Sequence, residues 1–314
     1  MTPATPSVLV VGSMAFDDLE LPTGRFADVV GGAATYAALA ASRFARVRVV
    51  AVVGDDFPAA VLDDLGQRGI DTAGVARATG RTFRWAGRYS SDLGSRTTLD
   101  TQLNVFADFR PAVPPAFRDS ELVLLANIHP ALQLEVLDQI ARPRLVAADT
   151  MNFWIDQERD TLLRVLGRVD TLVINDEELR QLAGEHSIRR AAKTVLGMGP
   201  RRLVCKRGEH GAALFDDQGT FFAPPYLLDE AVDPTGAGDT FAGALMGELA
   251  RTASFDGAAL RRALLVAAAV ASLTVEGVGT RRLAEASLAE IEARRADLER
   301  ALQLKPLIAA GRVP

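Results

Sequence analysis

The residues with the clearest chemical potential lie in one segment, 233–241, which reads Asp-Pro-Thr-Gly-Ala-Gly-Asp-Thr-Phe. A proline and two glycines predict a tight turn, and apolar residues spaced four apart from Phe241 onward predict that a helix follows it. The backbone N–H groups of residues 236–238 would then lie at the helix N-terminus, where free amides and the helix dipole attract anions. Glycines at two of these positions would let a phosphate approach the backbone closely. The segment therefore predicts an anion hole for a phosphoryl group in transfer.

An acidic side chain lies where such a site needs a base. Asp239 falls in the first predicted turn of the helix, where its carboxylate could accept a proton from a substrate hydroxyl that attacks the phosphate. An aspartate at this point is also an ordinary helix-start residue, but the complete string favours catalysis. The predicted catalytic residues are Gly236, Ala237, Gly238 and Asp239.

A second pair of short motifs suits the binding of a polyol. Asp17 follows the apolar run 8–11 and could accept hydrogen bonds from two hydroxyls, although its neighbour Asp18 is a second candidate. Gly31 and Gly32 precede an alanine-rich predicted helix, where they could bring a sugar-sized ligand against bare backbone or could simply form a turn. We expect Asp17 and the two glycines to hold the substrate.

Asn175 and Glu178 follow another apolar run, 172–174. In open α/β sheets ligands bind beyond the carboxyl ends of the strands, so both side chains are placed to reach a ligand there. The same spacing also forms a helix capping box. We favour the ligand-binding interpretation because strand, order and spacing agree.

These motifs need a scaffold that brings strand ends together. Short apolar runs alternate with helix-compatible stretches, which predicts βαβ units, a central mostly parallel sheet and a layered α/β fold. The predicted strands are 8–11, 47–53, 122–125, 145–148, 172–174 and 203–205, and the predicted helices include 57–69, 131–140 and 157–166. Near the C-terminus, one apolar helix face is predicted from Leu288, Ile291, Leu298 and Leu302.

Two stretches depart from this alternation of apolar runs and helix-compatible stretches, and they predict a small β-sheet lid. Polar and apolar residues alternate in 82–104 around Gly94, which predicts an exposed hairpin, and 14–30 predicts a third short strand beside it. Trp85 could cover a substrate ring, and Arg84 or Arg88 could meet a carboxylate or phosphate on the substrate. Lid packing and solvated arginines are the alternatives. An exposed lid strand could also pair with a second copy, so we expect a homodimer through the lid.

The composition limits the kind of partner. Of 314 residues 48% are hydrophobic, and 35 basic against 40 acidic residues give a net charge of −5, so nucleic acid and anionic membranes have no electrostatic basis as partners. Cys205 is the sole cysteine and the three histidines are scattered, which disfavours a thiolate or histidine metal site. The N-terminus lacks a signal-peptide pattern and no run reaches the roughly 18 apolar residues of a membrane helix. We therefore expect one cytoplasmic domain over residues 1–314.

The order of these motifs resembles the ribokinase-like (PfkB) family of sugar and nucleoside kinases, over roughly residues 8–280. The string 233–241 is similar to the second signature of that family, and 31–36 is similar to the first. Segments 12–17, 175–178 and 206–211 resemble, in family order, the strand end that binds substrate hydroxyls, the Asn-x-x-Glu motif and the turn that lines the nucleotide. The resemblance implies a three-layer sandwich with a lid, and transfer of phosphate from ATP to a sugar hydroxyl.

The resemblance also assigns residues to subsites. With the lid, it implies a substrate site made of Asp17, Gly31, Gly32, Tyr36, Trp85, Asn104 and Asp149. It implies a nucleotide site made of Asn175, Lys206, Gly208, Gly211, Thr235, Ala268 and Ser272. Glu178 would hold Mg²⁺ through water, and a monovalent cation such as K⁺ would lie near Asp233 and Thr235. The family often has asparagine where this chain has Tyr36, whose phenol could hydrogen-bond or stack instead.

Two alternatives to a sugar kinase stay open. A nucleoside kinase of the same family would use Tyr36 or Trp85 against a base, and a non-catalytic sugar sensor would bind its ligand without turnover. The intact Gly-Ala-Gly-Asp string favours an enzyme over a sensor. Other nucleotide-binding designs lack their residues, since the chain has no Gly-x-x-x-x-Gly-Lys-Ser/Thr loop, no third glycine at the dinucleotide spacing and no His-Arg-Asp loop.

Overall fold

The computed structural model describes residues 6–303, which form a nine-stranded sheet with helices and a separate four-stranded sheet. Residues 1–5 and 304–314, the two ends of the expected single domain, lie outside the described residues. The strands are β1 (Val8–Val11), β2 (Ala15–Leu21), β3 (Gly24–Gly31), β4 (Val47–Val53), β5 (Ile70–Arg77), β6 (Phe83–Tyr89), β7 (Arg96–Gln102), β8 (Leu122–Leu125), β9 (Leu145–Asp149), β10 (Thr171–Asn175), β11 (Arg202–Lys206), β12 (Ala212–Asp216) and β13 (Gly219–Ala223). The helices are α1 (Ala33–Ala41), α2 (Ala59–Gln67), α3 (Pro130–Leu137), α4 (Asn152–Gln157), α5 (Arg159–Leu166), α6 (Asp176–Ala183), α7 (Ile188–Leu196), α8 (Ala237–Thr252), α9 (Gly257–Thr274), α10 (Arg281–Glu285) and α11 (Leu288–Leu302).

The large sheet has the order β13-β12-β11-β10-β9-β8-β1-β4-β5 and is parallel from β5 to β11. Every residue of β1 and β8 is buried, because helices cover both faces of the sheet, and this explains why these strands are apolar throughout. The six predicted parallel strands are confirmed. The structure adds β5 at one edge and the antiparallel strands β12 and β13 at the other.

Alternate residues of the central strands enter two separate cores. Val8 and Val10 point into a core formed with α1, α8 and α9, whereas Leu9 and Val11 point into a core formed with α3, α5, α6 and α7. The predicted three-layer sandwich is therefore confirmed. Because the central strands are parallel, their carboxyl ends meet at one edge, where Asn175 of β10 pairs in register with Lys206 of β11.

The four-stranded sheet, in the order β3-β2-β6-β7, is the predicted lid. The hairpin expected around Gly94 is confirmed as antiparallel β6 and β7. Residues 14–30, expected to supply one short strand, instead supply two antiparallel strands, because the chain reverses between Leu21 of β2 and Gly24 of β3. Strand β2 then joins β6 in parallel, which ties both hairpins into one sheet.

Three predictions about helices need correction. The stretch 157–166, predicted to be one helix, contains the end of α4 and all of α5. On α11, Ile291 and Leu298 are buried as expected, but Leu288 and Leu302 are 53% and 41% exposed. Helix α9 is long and apolar enough to cross a membrane by length and composition, contrary to expectation, yet 72% of that stretch is buried inside the protein. It is packed as a core helix.

Candidate active site

Two glycine loops lie at the N-termini of α1 and α8. The diglycine loop (residues 31–32) leads into α1, and the anion loop (residues 236–238) leads into α8. Gly32 has a φ of 93° and Gly236 a φ of 73°, backbone conformations that favour glycine. The predicted turn-to-helix geometry is thus present at both motifs.

A close crossing of α1 and α8 brings these loops together. A Cβ on Gly243 would lie 2.1 Å from the carbonyl oxygen of Ala37, and a Cβ on Gly247 would lie 2.8 Å from that of Ala41. Only glycine therefore allows the two backbones to approach so closely. The sequence placed the loops at helix starts, and this crossing places them at one site.

The anion loop is braced by Asp233. One carboxylate oxygen accepts the N–H of Thr235 at 2.9 Å, and the other accepts the N–H of Gly279, also at 2.9 Å. The side chain is fully buried. Because both oxygens hold backbone groups, the bracing role of Asp233 does not require the monovalent cation that the resemblance suggests.

Asp239 lies in the first turn of α8, near a shielded ion pair. Lys206 Nζ lies 2.7 Å from Asp149 Oδ2, and their side chains are 17% and 6% exposed. A Cβ on Gly238 would lie 3.1 Å from the same Nζ, so the ammonium lies against the anion loop. Desolvation and then the charge of Asp149 raise the pKa of Asp239 to about 7, and Lys206 opposes this rise. A carboxyl with this pKa is suited to proton transfer near neutral pH.

This ion pair changes the expected roles of both partners. Asp149 was expected to contact the substrate, but it is buried and holds Lys206. Lys206 was expected to line the nucleotide, but its ammonium turns toward Asp149 and the anion loop. Both charged groups therefore lie close to the position that a transferring phosphoryl group would occupy.

Asn175 and Glu178 form the capping box that the sequence left as an alternative. Asn175 Oδ1 accepts the N–H of Glu178 at 2.8 Å, and Glu178 Oε2 accepts the N–H of Asn175 at 3.1 Å. Desolvation raises the pKa of Glu178 to about 7, with a contribution from Asp149, while Lys206 lowers it. The box fixes Glu178 beside the same ion pair as Asp239.

Asp17 is the buried carboxyl on the diglycine side of the site. It is 4% exposed, and a Cβ on Gly31 would lie 2.0 Å from its Oδ2, so glycine is needed next to it. Desolvation raises the pKa of Asp17 to about 8, and the charges of Asp233 and Asp239 add to this rise. These carboxyls therefore surround one site. Asp18 instead accepts a backbone N–H elsewhere in the lid, which favours Asp17 as the binding residue.

The Tyr36 ring lies between the two loops. A Cβ on Gly236 would lie 2.3 Å from Tyr36 Cδ2, so the ring packs directly on the anion loop. The residue is 1% exposed, and its hydroxyl has no hydrogen-bond partner within residues 6–303. Burial, followed by the charge of Asp17, raises the pKa of the phenol well above its ordinary value, which keeps it a hydrogen-bond donor.

The inner face of the lid carries two residues that the sequence analysis missed. Pairing registers place Trp85 beside Asp17, and Arg96 beside Tyr89. The Tyr89 hydroxyl lies 3.0 Å from Thr235 Oγ1, which closes the lid against the anion loop. The Arg96 guanidinium carbon lies 5.4 Å from the Trp85 ring centroid. Counting alternate residues from Trp85 would have found Tyr89, but nothing in the sequence singles out Arg96.

The outer face of the lid holds the two arginines that the sequence left open. Arg84 pairs with Asp18 and Asp28, and Arg88 pairs with Glu20. These contacts favour the alternative in which both arginines face away from the substrate, because they lie one strand position off from Trp85 and Tyr89.

The side chains of Asn104 and Ser272 form hydrogen bonds within the protein. Asn104 Nδ2 donates to the carbonyl of Thr82 at 2.9 Å, at the end of the lid. Ser272 Oγ donates to the carbonyl of Ala269 at 2.7 Å and accepts from Arg294 at 2.8 Å. The Ser272 hydroxyl is therefore engaged within the protein, whereas Asn104 Oδ1 has no hydrogen bond within residues 6–303.

The remaining nucleotide-site candidates are small residues. Gly211 has a φ of 80°, and a Cβ there would lie 2.2 Å from the carbonyl oxygen of Ala223, so glycine is needed at that turn. Gly208 is exposed with a φ of 52°, and Ala268 is buried within α9. Their assignment to a nucleotide site stays a prediction.

Comparison with known proteins identifies the family of this arrangement. A family model described as pfkB family carbohydrate kinase matches residues 6–286. The chain is 29% identical over 248 residues to cytidine kinase of Thermococcus kodakarensis, covering 78% of this chain and 88% of that protein. It is also 29% identical over 272 residues to 2-dehydro-3-deoxygluconokinase of Thermoproteus tenax, covering 79% of each.

A solved structure supports the same fold. Putative ribokinase II from E. coli, in complex with ATP and Mg²⁺, matches with a TM-score of 0.75 at 21% identity, covering 93% of this chain and 99% of that chain. The likeness extends over the layered sheet, and the family model covers the lid, the diglycine loop and the anion loop. The chain therefore belongs to the pfkB family of carbohydrate kinases.

Proposed function

We propose that the protein transfers the γ-phosphoryl group of ATP to a hydroxyl of a small sugar or sugar-like acceptor. One observation supports this most strongly: Asp239 lies at the N-terminus of α8, beside the anion loop and within electrostatic reach of the buried Asp17. This arrangement offers a base, an anion hole and a hydroxyl-binding carboxyl around one site. Those are the parts that phosphoryl transfer to an alcohol needs.

In this reaction Asp239 takes the proton of the acceptor hydroxyl while the hydroxyl oxygen bonds to the γ-phosphorus. The bond between that phosphorus and the β–γ bridging oxygen breaks, and ADP leaves with the electron pair. The Ala237 N–H donates to the carbonyl of Pro234 at 3.2 Å, so the N–H groups of Gly236 and Gly238 hold the charge of the phosphoryl group in transfer. The Lys206 ammonium, which lies against Gly238, adds a positive charge at the same place.

Glu178 suits the role of binding Mg²⁺ through water. Its Oε2 holds the N–H of Asn175, and its other carboxylate oxygen has no hydrogen bond within residues 6–303. The described part of the chain contains no group of three or more His, Cys, Asp or Glu side chains placed to hold a metal. That agrees with an ion bound mainly by nucleotide phosphates and water, where it would neutralise phosphate charge. If turnover depends on KCl, the site also binds a monovalent cation, which the resemblance suggests near Asp233.

A nucleoside is the second candidate acceptor. Trp85 lies on the inner face of the lid in register with Asp17, so an aromatic surface flanks the hydroxyl-binding carboxyl. A base could stack on that ring while Asp17 binds the attached sugar. The cytidine kinase relative acts on a substrate of this class by name. If the acceptor is a free sugar, Trp85 would contact only the sugar ring.

The test is coupled ADP release with Mg²⁺-ATP against sugars, sugar acids and nucleosides, for the natural protein and for Asp239→Asn. We expect turnover of one acceptor class, and a loss of about 10²–10⁴-fold in Asp239→Asn because the base is removed. Asp217→Asn, which removes an exposed carboxyl in the turn after β12, is the matched control and keeps full activity.

The outcomes separate the candidates. Turnover of nucleosides but not of sugars selects the second candidate. Binding of a sugar without its turnover in the presence of Mg²⁺-ATP indicates a non-catalytic sensor and refutes the proposal. Equal turnover by Asp239→Asn and the natural protein removes Asp239 from the role of base.

We also propose that the protein acts in the cytoplasm as a homodimer joined through the lid. Strand β7 is an edge of the four-stranded sheet, and all of its residues are exposed. An edge strand of this kind invites pairing with a second copy. Light scattering that gives a monomer at micromolar concentration would refute the dimer.

A further inference from the structure

We propose that the Tyr36 hydroxyl is a specificity-determining contact, which donates a hydrogen bond to an acceptor oxygen that Asp17 does not hold. The inference rests on the proposed function, since it assigns a group to the same acceptor site.

The first support is the position of the Tyr36 ring. The ring packs on Gly236 so closely that a Cβ there would lie 2.3–2.4 Å from three ring carbons. The titratable groups around the phenol are Asp17, Asp233, Asp239 and Tyr89. Asp17 comes from β2, Asp233 from the segment before the anion loop, Asp239 from α8 and Tyr89 from β6. The phenol therefore lies within electrostatic reach of both the hydroxyl-binding carboxyl and the predicted base.

The second support is the unpartnered hydroxyl. Tyr36 is 1% exposed, and its OH has no hydrogen-bond partner among the described residues. An unpaired buried polar group destabilises the folded state, and most buried polar groups in folded proteins are paired. A phenylalanine would fill the same space against Gly236 without that cost. A hydroxyl kept here at a cost in stability is explained if a bound acceptor supplies the missing partner.

The acceptor oxygen can be narrowed by chemistry. The phenol is held protonated by its surroundings, so it donates, and the acceptor must present a lone pair. Asp17 binds hydroxyls of the acceptor, and the phenol donates to a different oxygen, so the two groups contact different atoms of the acceptor. A sugar or nucleoside with a hydroxyl or ring oxygen next to a diol fits both. An acceptor without that oxygen leaves the phenol unpaired and is rejected.

The test compares Tyr36→Phe with Thr171→Val. The control also removes a buried hydroxyl that has no partner within residues 6–303, but it lies at the start of β10, at the strand end opposite Asn175. KM and thermal unfolding are measured with ribose, 2-deoxyribose, cytidine, 2′-deoxycytidine and 3′-deoxycytidine. We expect Tyr36→Phe to raise KM for the best acceptor by about tenfold, the loss of one hydrogen bond, while Tm stays equal or rises.

The deoxy analogues identify which oxygen of the acceptor receives the hydrogen bond from Tyr36. The natural protein should discriminate against the analogue lacking it, and Tyr36→Phe should lose most of that discrimination. Thr171→Val should raise or preserve Tm and leave KM unchanged. If Tyr36→Phe turns over the acceptor with an unchanged KM, the inference is wrong and the hydroxyl is merely tolerated. If the natural protein turns over none of these compounds or the wider acceptor panel, the proposed function fails, and this inference fails with it.

Discussion

Lys206 Nζ lies 2.7 Å from Asp149 Oδ2, an ion pair that joins the carboxyl ends of β11 and β9 across the intervening β10. The two charges act on Asp239 in opposite directions, because Asp149 raises its pKa and Lys206 lowers it. Burial is the largest cause of the raised pKa of the proposed base, and the pair adjusts that pKa in both directions.

The acidic limb of the pH–rate profile should follow this pair. Asp239 must be ionised to act as a base, and burial with Asp149 raises its pKa to about 7, so kcat/KM should rise as the pH rises through about 7. Lys206→Gln removes the charge that lowers this pKa, so the limb should move to higher pH by about one unit. Asp149→Asn removes a charge that raises it, so the limb should move to lower pH.

The control is Lys193→Gln, an exposed lysine on α7, which should leave the limb in place. The profiles are measured by ADP release at saturating ATP. Shifts of the same sign in the Lys206 and Asp149 variants would contradict the assignment of the limb to Asp239.

Gly243→Ala should weaken both stability and catalysis. The added Cβ would lie 2.1 Å from the Ala37 carbonyl oxygen, which belongs to backbone and cannot rotate away, so α1 and α8 must separate. We expect a loss of about 1–3 kcal/mol of unfolding free energy. Because the two helices carry the diglycine and anion loops, we also expect kcat to fall by up to about 10²-fold.

The matched control is Gly66→Ala on α2, where an added Cβ meets no atom within 4 Å. It should be neutral or stabilising by up to about 1 kcal/mol, because alanine favours a helix. Chemical denaturation and single-turnover kinetics measure the two effects. A Gly243→Ala protein with normal kcat would separate the helix crossing from the site.

Asp17→Asn should stabilise the protein while weakening acceptor binding. The pKa of Asp17 is raised from 3.8 to about 8, so the folded state binds its proton more tightly than the unfolded state does. The free energy of unfolding therefore falls as the pH rises from about 4 to about 8, and asparagine avoids this loss. We expect a gain in Tm that is small at pH 5 and corresponds to a few kcal/mol at pH 8.

Thermal unfolding at a series of pH values checks this, with Asp18→Asn as the neighbouring control on the outer lid face. The control should show no gain that grows with pH. A gain in Asp17→Asn that is equal at pH 5 and pH 8 would mean that burial of the charged form is not its cause.

Tyr89→Phe should loosen the lid without stopping the chemistry. The variant loses the hydrogen bond to Thr235, which we expect to raise acceptor KM about fivefold, the equivalent of roughly 1 kcal/mol. Trp85 reports lid position, and Trp154→Phe leaves it as the sole tryptophan. Acceptor-induced change in its fluorescence should weaken in the Tyr89 variant. Thr235→Val should have the same effect, and combining the two should add nothing if they are partners.

The sequence by itself determined the elements whose signal is local. The six central strands are apolar because both of their faces are covered, so unbroken runs such as 8–11 and 122–125 were visible without a structure. The anion loop was equally visible, because a proline, two glycines and the start of an amphipathic helix are adjacent in the chain. Of the two adjacent carboxyls, Asp17 is the buried one, and its role in binding the substrate stays a prediction.

The tertiary structure decided what depends on contacts between distant residues. The partner of Lys206 is Asp149, 57 residues away, and only the sheet order brings their ends together. Which lid arginine faces the site depends on which face of β6 and β7 is covered. The alternation of polar and apolar residues does not show which face that is. In the structure Arg84 and Arg88 face outward, whereas Arg96 lies beside Tyr89. The sequence named the candidate groups, and the close packing at the α1–α8 crossing brings the two glycine loops together.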